Sequence, residues 1–513
     1  MANGFSQAWR LLTVVRTLAR HDALFPLEAL EDPPLAVRLL RRVTRLWYRA
    51  RGGSESRPGV RLAAALEALG PAFVKLGQAL ATRPDLVGRE IARDLTALQD
   101  KLPPFSAEEA RAVIARELGR PVDTLFTAFD DTPVAAASIA QVHYATTADG
   151  TPVAVKVLRP GIEKRFSADL ESFLWFARIV ERAEPKSRRL KPVEVVRTLD
   201  ASVKLEMDLR MEAAAASELA ENMAGEPGYR VPEVDWKRTA RRVMTMERID
   251  GTSLADSAVL AGEGHDLRRL AETIVQVFLR QAMRDGFFHA DLHQGNLLVE
   301  ADGTIAAVDF GIMGRLDRDA RRFLAEILWG FLEADYGRIA DIHFEAGYVP
   351  AGQSRALFAQ AMRAIAEPIQ GLPASEVSLG RLLAQLFATT ERFDMATRPE
   401  LLMLQKTMVM VEGIASGLDA NVNMWTASRP AIEDWMRENL GPEARIAEAI
   451  IDAGRLARAL PKLIRALEAG DEAPPKPLET GDDRPYLKER THRALWLVAG
   501  LIAGVLLGTL VTL

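Results

Sequence analysis

The chain has 513 residues, 48% of them hydrophobic, which is too long for one compact core and implies two or three domains. Its 65 basic residues against 70 acidic ones leave a net charge of −5, without the basic excess that nucleic acid attracts. The absence of cysteine excludes disulfides, thiol nucleophiles and cysteine-ligated zinc.

Residues 1–60 form a basic segment in which Arg10, Arg16, Arg20, Arg38, Arg41, Arg42, Arg45, Arg49 and Arg51 interleave with Trp9, Leu11, Leu12, Leu39, Leu40, Leu46 and Trp47. It reads equally as a helix lying on an anionic membrane surface and as a solvated helical face. Arginines scattered through the first twenty positions leave no apolar core for a signal peptide. Residues 61–119 read as a helical extension broken at Gly70-Pro71 and Arg83-Pro84. Ser106 and Glu109 there make a capping-box pattern for a helix ending near Gly119.

The period then changes. PVAAASIAQVHYATTADGTPVAVKVL holds two strand-like runs with Asp149-Gly150 as the turn. VVRTLDASVKLEMDLRMEAAAASELAENM returns to helix, and RRVMTMERIDG reads as a strand ending in a turn. Residues 266–285 are predicted as a helix stopped by Gly286. NLLVEADGTIAAVDFG follows as a hairpin turning at Asp302-Gly303. From Asp317 to about Ala469 the pattern is mainly helical. Residues 470–493 are a polar, Pro-rich linker. Residues 494–513 are uncharged, and at about 1.5 Å per residue they would make a helix roughly 30 Å long, enough to cross a bilayer. Lys488, Arg490 and Arg493 precede that run, so the positive-inside rule places the folded body in the cytoplasm. Gly500, Gly504 and Gly508 would let two such helices pack as a homodimer.

The chemistry gathers around HADLHQGN, residues 289–296. His289 and His293 would share one helical face as metal ligands do, but Gly286 and Gly295 disfavour a helix and no third ligand is evident. Asp291 and Asn296 instead have the spacing of the H-x-D-x-x-x-x-N loop of kinases, and a hairpin separates them from Asp309-Phe310-Gly311. Carboxylate and amide oxygens are the hard ligands that Mg²⁺ needs beside nucleotide phosphates. Upstream, Val153-Ala154-Val155-Lys156 matches the strand whose lysine reaches those phosphates. Where a Gly-rich loop would precede it stand Ala135, Ala136, Ala137 and Ser138, whose Cβ atoms restrict close backbone approach. Glu212 is the best helix carboxylate for Lys156, and Glu247 falls where a kinase hinge would meet adenine, although it reads equally as a surface glutamate. Taken singly, each of these residues could be structural; together and in this order they read as a kinase-like site. Lys75, Gln78, Glu206 and Asp208, taken alone, read as a solvated lysine face and an acidic helix edge.

Taken together, these motifs resemble the UbiB/ADCK (coenzyme Q8) family of atypical protein-kinase-like proteins, with the specific matches spanning roughly residues 60–330. Lys75-Leu76-Gly77-Gln78 matches the family's KxGQ motif, Ala135–Ser138 its Ala-rich loop and Glu206-Met207-Asp208 its ExD motif; HADLHQGN and DFG complete the set, with Gln294 where the family more often has proline. The resemblance implies an α+β, bilobal kinase-like fold, with a β-rich N-lobe over 120–250 carrying a helical insertion and a helical C-lobe over 251–469. It implies that Lys156 contacts nucleotide and pairs with Glu212, that Lys75 pairs with Glu206, that Asp291 is the catalytic aspartate, and that Asn296 and Asp309 hold Mg²⁺ against ATP. Ala290 replaces the arginine of H-R-D, no A-P-E follows DFG, and a helix begins almost at once, which argues against a protein acceptor. The implied role is a membrane-anchored ATPase or lipid kinase of ubiquinone biosynthesis, at the inner membrane with quinone-biosynthesis enzymes and polyprenylated precursors as partners. A nucleotide-regulated scaffold and a small-molecule phosphotransferase are the alternatives.

Overall fold

The computed structural model describes residues 13–23 (except 15), 56–81, 87–95, 98, 103–183, 191–370, 389, 392–395 and 399–440. Two compact units divide them: one runs to Met211 and includes Trp236–Thr245, and the other takes Glu212–Asp235 and continues from Met246.

The first unit begins with a helical layer: α1 (Pro58–Leu69), α2 (Pro71–Ala81) and α3 (Arg89–Leu95). The break between α1 and α2 lies at Gly70-Pro71, as the sequence indicates. Leu62, Leu66, Phe73, Val74 and Leu95 form the core of this layer. Val14 and Leu18 pack against it, so this described part of the N-terminal segment has an apolar face turned to protein rather than to solvent. α4 (Ala107–Leu118) carries both halves of the capping box between Ser106 and Glu109 and ends at left-handed Gly119. After it come β1 (Phe126–Phe129), β2 (Ala135–Ala136), β3 (Ala140–Thr147) and β4 (Pro152–Leu158). Val153, Val155 and Val157 alternate along β4 into a core with Val113 and Ile114 of α4, each burial contributing about 2 kcal/mol.

α5 (Ile162–Ala183) and α6 (Pro192–Glu206) pack on each other through Phe166, Leu170, Val196 and Val203. The run read as one helix is in fact two. It breaks at Met207-Asp208, and α7 (Leu209–Asn222) starts where the Leu209 amide donates to the Arg241 carbonyl at 2.9 Å. No glycine or proline marks this break; a tertiary hydrogen bond sets it. β5 (Tyr229–Arg230) belongs to the second unit, and β6 (Val243–Glu247) returns to lie beside β4. The sheet order is β1-β3-β4-β6, with β2 against β3.

In the second unit, β7 (Thr252–Ser253) leads to α8 (Ser257–Gly262) and α9 (Leu267–Leu279), which is capped by the Asp266 side chain. The helical pattern does continue to Asp285, but residues Arg280–Asp285 are wound as a π-helix before left-handed Gly286. β8 (Phe287–His289), β9 (Leu297–Val299), β10 (Ile305–Ala307) and β11 (Met313–Arg315) follow. β9 and β10 form the expected hairpin within the order β5-β10-β9-β7, and β8 pairs antiparallel with β11. Gly314 sits opposite Phe288 in that pair, and a Cβ there would enter the Phe288 ring. The rest is helical: α10 (Arg318–Leu332), α11 (Tyr336–Glu345), α12 (Arg355–Gln370), α13 (Pro399–Leu418) and α14 (Met424–Leu440). Trp435 of α14 donates its indole N–H to the Met283 carbonyl at 2.9 Å, fixing α14 to the π-helical turn. Among the described residues no helix is long and apolar enough to cross a membrane. The linker 470–493 and the apolar run 494–513, with Gly500, Gly504 and Gly508, lie outside them.

Burial pushes the His343 imidazole down to about 4 from its ordinary 6.5. Between those values the unfolded chain takes up a proton that the folded chain refuses, so stability falls as pH drops from 6.5 towards 4. His343→Leu should flatten this loss, which is on the order of 3 kcal/mol. Urea midpoints across that pH range measure it, and equal slopes in the two proteins would contradict the assignment.

Candidate functional site

The 289–296 loop is organised by His289, which is 1% exposed. Its backbone N–H donates to Gln281 Oε1 at 3.1 Å, reaching into the π-helical turn. Its Nδ1 accepts the Asp291 N–H at 3.2 Å, so the ring proton sits on Nε2, which donates to the Asp309 carbonyl oxygen. Burial holds His289 below the usual imidazole range, in keeping with the neutral ring this arrangement needs. One imidazole thus ties the backbone of Asp291 to that of Asp309. Asn296 joins them: its amide nitrogen donates to the Asp291 carbonyl at 3.4 Å, and its own carbonyl accepts from Val308 at 3.0 Å. Asp309 Oδ1 accepts the Gly311 N–H at 3.0 Å, and Phe310 is buried. Asp291, Asn296 and Asp309, expected to act together, are therefore gathered by hydrogen bonds within the second unit. His293 caps the short turn 294–296 by accepting the Gly295 N–H at 3.2 Å.

Two neighbours of this loop had no signal in the sequence. Lys406 of α13 places Nζ 2.9 Å from Asp291 Oδ1. Thr407, fully buried, lies with Oγ1 3.1 Å from the Ala290 carbonyl oxygen.

In the first unit, strand register places Ala135, Val142 and Lys156 in one row across β2, β3 and β4, opposite the valine core face. Ala135 of the Ala-rich loop and the lysine therefore share a sheet face, while Ala136 falls in the row of Gln141 and core-facing Val157. The loop is clamped by Arg159, also missed in the sequence, whose Nε and Nη2 donate to the Ala137 carbonyl at 3.0 and 2.9 Å. Nη2 also reaches the Pro103 carbonyl at 2.8 Å. Ala136 pairs with Gln141, and the Ser138 hydroxyl is buried without a hydrogen-bond partner among the described residues. Gln141 and His143 brace the sheet beneath: Gln141 Oε1 accepts the Phe105 N–H at 3.0 Å, and its amide meets His143 Nε2 at 2.8 Å.

Glu212 stands in the first turn of α7, half-buried, and belongs to the second unit, whereas Lys156 belongs to the first. The Glu247 carboxylate is gripped by Arg230 at 2.8 and 2.9 Å, and Arg230 also binds Glu300. The guanidinium holds Glu247 below the usual carboxylate range. Lys75, a solvated lysine on its own sequence context, is instead 10% exposed and makes a 2.8 Å ion pair with Glu206. Asp208 turns to Arg210, at 2.8 and 2.6 Å, and that hydrogen-bonded pair lowers its pKa. Gln78 lies on α2, one turn from Lys75.

Residues 97–343 match the ABC1 atypical kinase-like domain, and residues 362–423 match the UbiB helical domain. A probable protein kinase UbiB from Marinobacter nauticus is 44% identical over 392 residues, covering 76% of this chain and 72% of the relative. Another from Azotobacter vinelandii is 39% identical over 513 residues, covering 98% and 93%. The chain belongs to the UbiB family of atypical kinase-like proteins. The solved Rv3197–erythromycin complex from Mycobacterium tuberculosis matches 79% of this UbiB-family chain and 98% of its own, at 25% identity and a TM-score of 0.49.

The UbiB fold here has mixed α and β content, and its 289–311 region offers donors suited to a hard cation. With the Asn296 nitrogen committed to the Asp291 carbonyl, its amide oxygen is the atom that could meet a metal, and Asp309 offers a carboxylate. Among the described residues no group of three or more His, Asp or Glu side chains gathers as a metal site. One carboxylate and one amide fit Mg²⁺, which completes its shell with phosphate oxygens and water.

Two outcomes test this geometry. Lys75→Met or Glu206→Met alone should cost about 3 kcal/mol, because each removes the opposite charge from a nearly buried one, while Lys75→Met/Glu206→Met should cost less than the sum. Urea unfolding gives the cycle, and strictly additive losses would show the pair to be uncoupled. Arg159→Gln should speed amide hydrogen exchange across residues 135–138 about tenfold or more by releasing the Ala137 carbonyl. Exchange read by mass spectrometry measures this, and an unchanged rate would remove Arg159 from the loop's support.

Proposed function

We propose that this UbiB-family protein is a Mg²⁺-dependent ATPase or small-molecule kinase that supports ubiquinone biosynthesis by acting on, or presenting, polyprenylated lipid intermediates. The single observation that carries this reading is the cluster of Asp291, Asn296 and Asp309 tied through His289. Asn296 and Asp309 would hold Mg²⁺, which offsets phosphate charge when ATP is bound. Asp291 would orient the attacking oxygen of water or an alcohol and take its proton. That oxygen bonds to the γ-phosphorus as the bond from phosphorus to the β,γ-bridging oxygen breaks; ADP leaves with the electron pair. On this reading Lys156, Glu212 and the Ala-rich loop serve the nucleotide end of the reaction.

A small or lipidic acceptor is favoured over a protein. Ala290 stands where H-R-D has an arginine to meet an activation-loop phosphate, and its N–H is used by the Ile312 carbonyl. After Gly311 the chain makes only β11 before Asp317 caps α10, leaving no extended peptide platform. The apolar, charge-free run 494–513 supports a membrane anchor at the inner membrane with the body on the cytoplasmic side. Quinone-biosynthesis enzymes are the partners this placement suits.

Asp291→Asn and Asp309→Asn should each lower ATP turnover about 100-fold or more, measured as ADP release by the full chain. Full turnover in both would leave a nucleotide-regulated scaffold as the function. Quinone intermediates should accumulate in a strain deleted for the gene and clear on complementation; an unchanged profile would remove the quinone role.

A further inference from the structure

The loop from His289 to Asn296 contains no lysine or arginine, although phosphoryl transfer concentrates negative charge at this place. The cation comes from another element. Lys406 Nζ lies 2.9 Å from Asp291 Oδ1, across 115 residues of sequence. No other side-chain hydrogen bond meets the Asp291 carboxylate among the described residues, so Lys406 is the one side chain there that holds it.

Packing sets this position. Leu404, Met408, Val411, Ala415 and Leu418 are buried along one side of α13. Thr407 is fully buried, with Oγ1 3.1 Å from the Ala290 carbonyl oxygen and 2.9 Å from that of Met403. α13 is thereby pinned to the residue just before Asp291, and Lys406 emerges beside the carboxylate. The lysine side chain is 45% exposed and that of Asp291 30%, so the pair adds little to folding stability. A partly exposed pair held in place by a buried neighbour is better explained by what it does to the carboxylate than by what it adds to the fold.

We propose that Lys406 is a positioning residue for Asp291: its ammonium holds Oδ1 and so turns Oδ2 toward the attacking oxygen. This rests on the reading of Asp291 as the group that orients that oxygen and takes its proton. The helical segment containing α13 thereby becomes part of the reaction site, and the bond changes at phosphorus are those already given.

The test uses the full chain with Mg²⁺ and ATP, reading ADP release for the wild type, Lys406→Met, Lys406→Arg, Asp291→Asn and Asp291→Asn/Lys406→Met. Lys406→Met should lower kcat about tenfold or more while changing KM for ATP less than about twofold, and Lys406→Arg should recover part of the loss. In the Asp291→Asn background, Lys406→Met should cost nothing further, since the lysine acts through that carboxylate. Wild-type kcat in Lys406→Met beside a crippled Asp291→Asn overturns the positioning role alone. So does an equal Lys406→Met loss in both backgrounds. Full turnover in Asp291→Asn instead overturns the catalytic reading of Asp291, and this role falls with it. Thermal melts of each variant separate these outcomes from misfolding, which the exposure of Lys406 makes a small effect.

Discussion

The geometry of the second unit turns on one buried imidazole. His289 accepts from the Asp291 amide on one ring nitrogen and donates to the Asp309 carbonyl from the other. Both contacts hold only for the neutral ring with its proton on Nε2. Burial favours that neutral form, because a charged ring would lose its hydration. The support runs outward from there: Gln281 accepts from the His289 backbone, and Trp435 fixes the π-helical turn that carries Gln281. A π-turn in a helix is uncommon, and it occurs here where the Gln281 side chain meets the His289 backbone.

The first unit solves a comparable problem with charge. A backbone loop that faces phosphate usually relies on glycine, whose freedom allows close approach. This chain has alanine at the corresponding positions, and Arg159 fixes that loop by two hydrogen bonds to the Ala137 carbonyl. Lys75 and Glu206 place opposite charges in a nearly buried setting, where each offsets part of the other's desolvation. The helix break at Met207-Asp208 follows Glu206 directly, and the Asp208–Arg210 pair occupies the turn.

What could be read from the sequence was local. The capping box at Ser106, the turns at Gly150 and Gly303 and the valine alternation of β4 each depend on residues a few positions apart, and each forms as expected. The clustering of Asp291, Asn296 and Asp309 was legible for a related reason: a short hairpin between the motifs leaves the chain few ways to arrange them. Lys406 and Arg159 were not legible. A lysine in an apolar helical run reads as a solvated residue, and an arginine after a strand reads as its polar end. Only tertiary packing gives either one its partner. The helix break at Met207 was hidden similarly, because the Arg241 carbonyl that sets it comes from a distant segment. Family resemblance supplied Lys75 and Glu206, which residue patterning alone would have left on the surface.

The pairing of Asp291 with Lys406 also has a consequence for the order of synthesis. A ribosome releases the 289–296 loop well before α13, so the nascent loop can form its local bonds to His289 while its aspartate still lacks the lysine. The Thr407 contact to Ala290 must wait as well. A chain interrupted within that interval would carry every recognisable sequence motif of the loop and still lack the side chain that meets the Asp291 carboxylate.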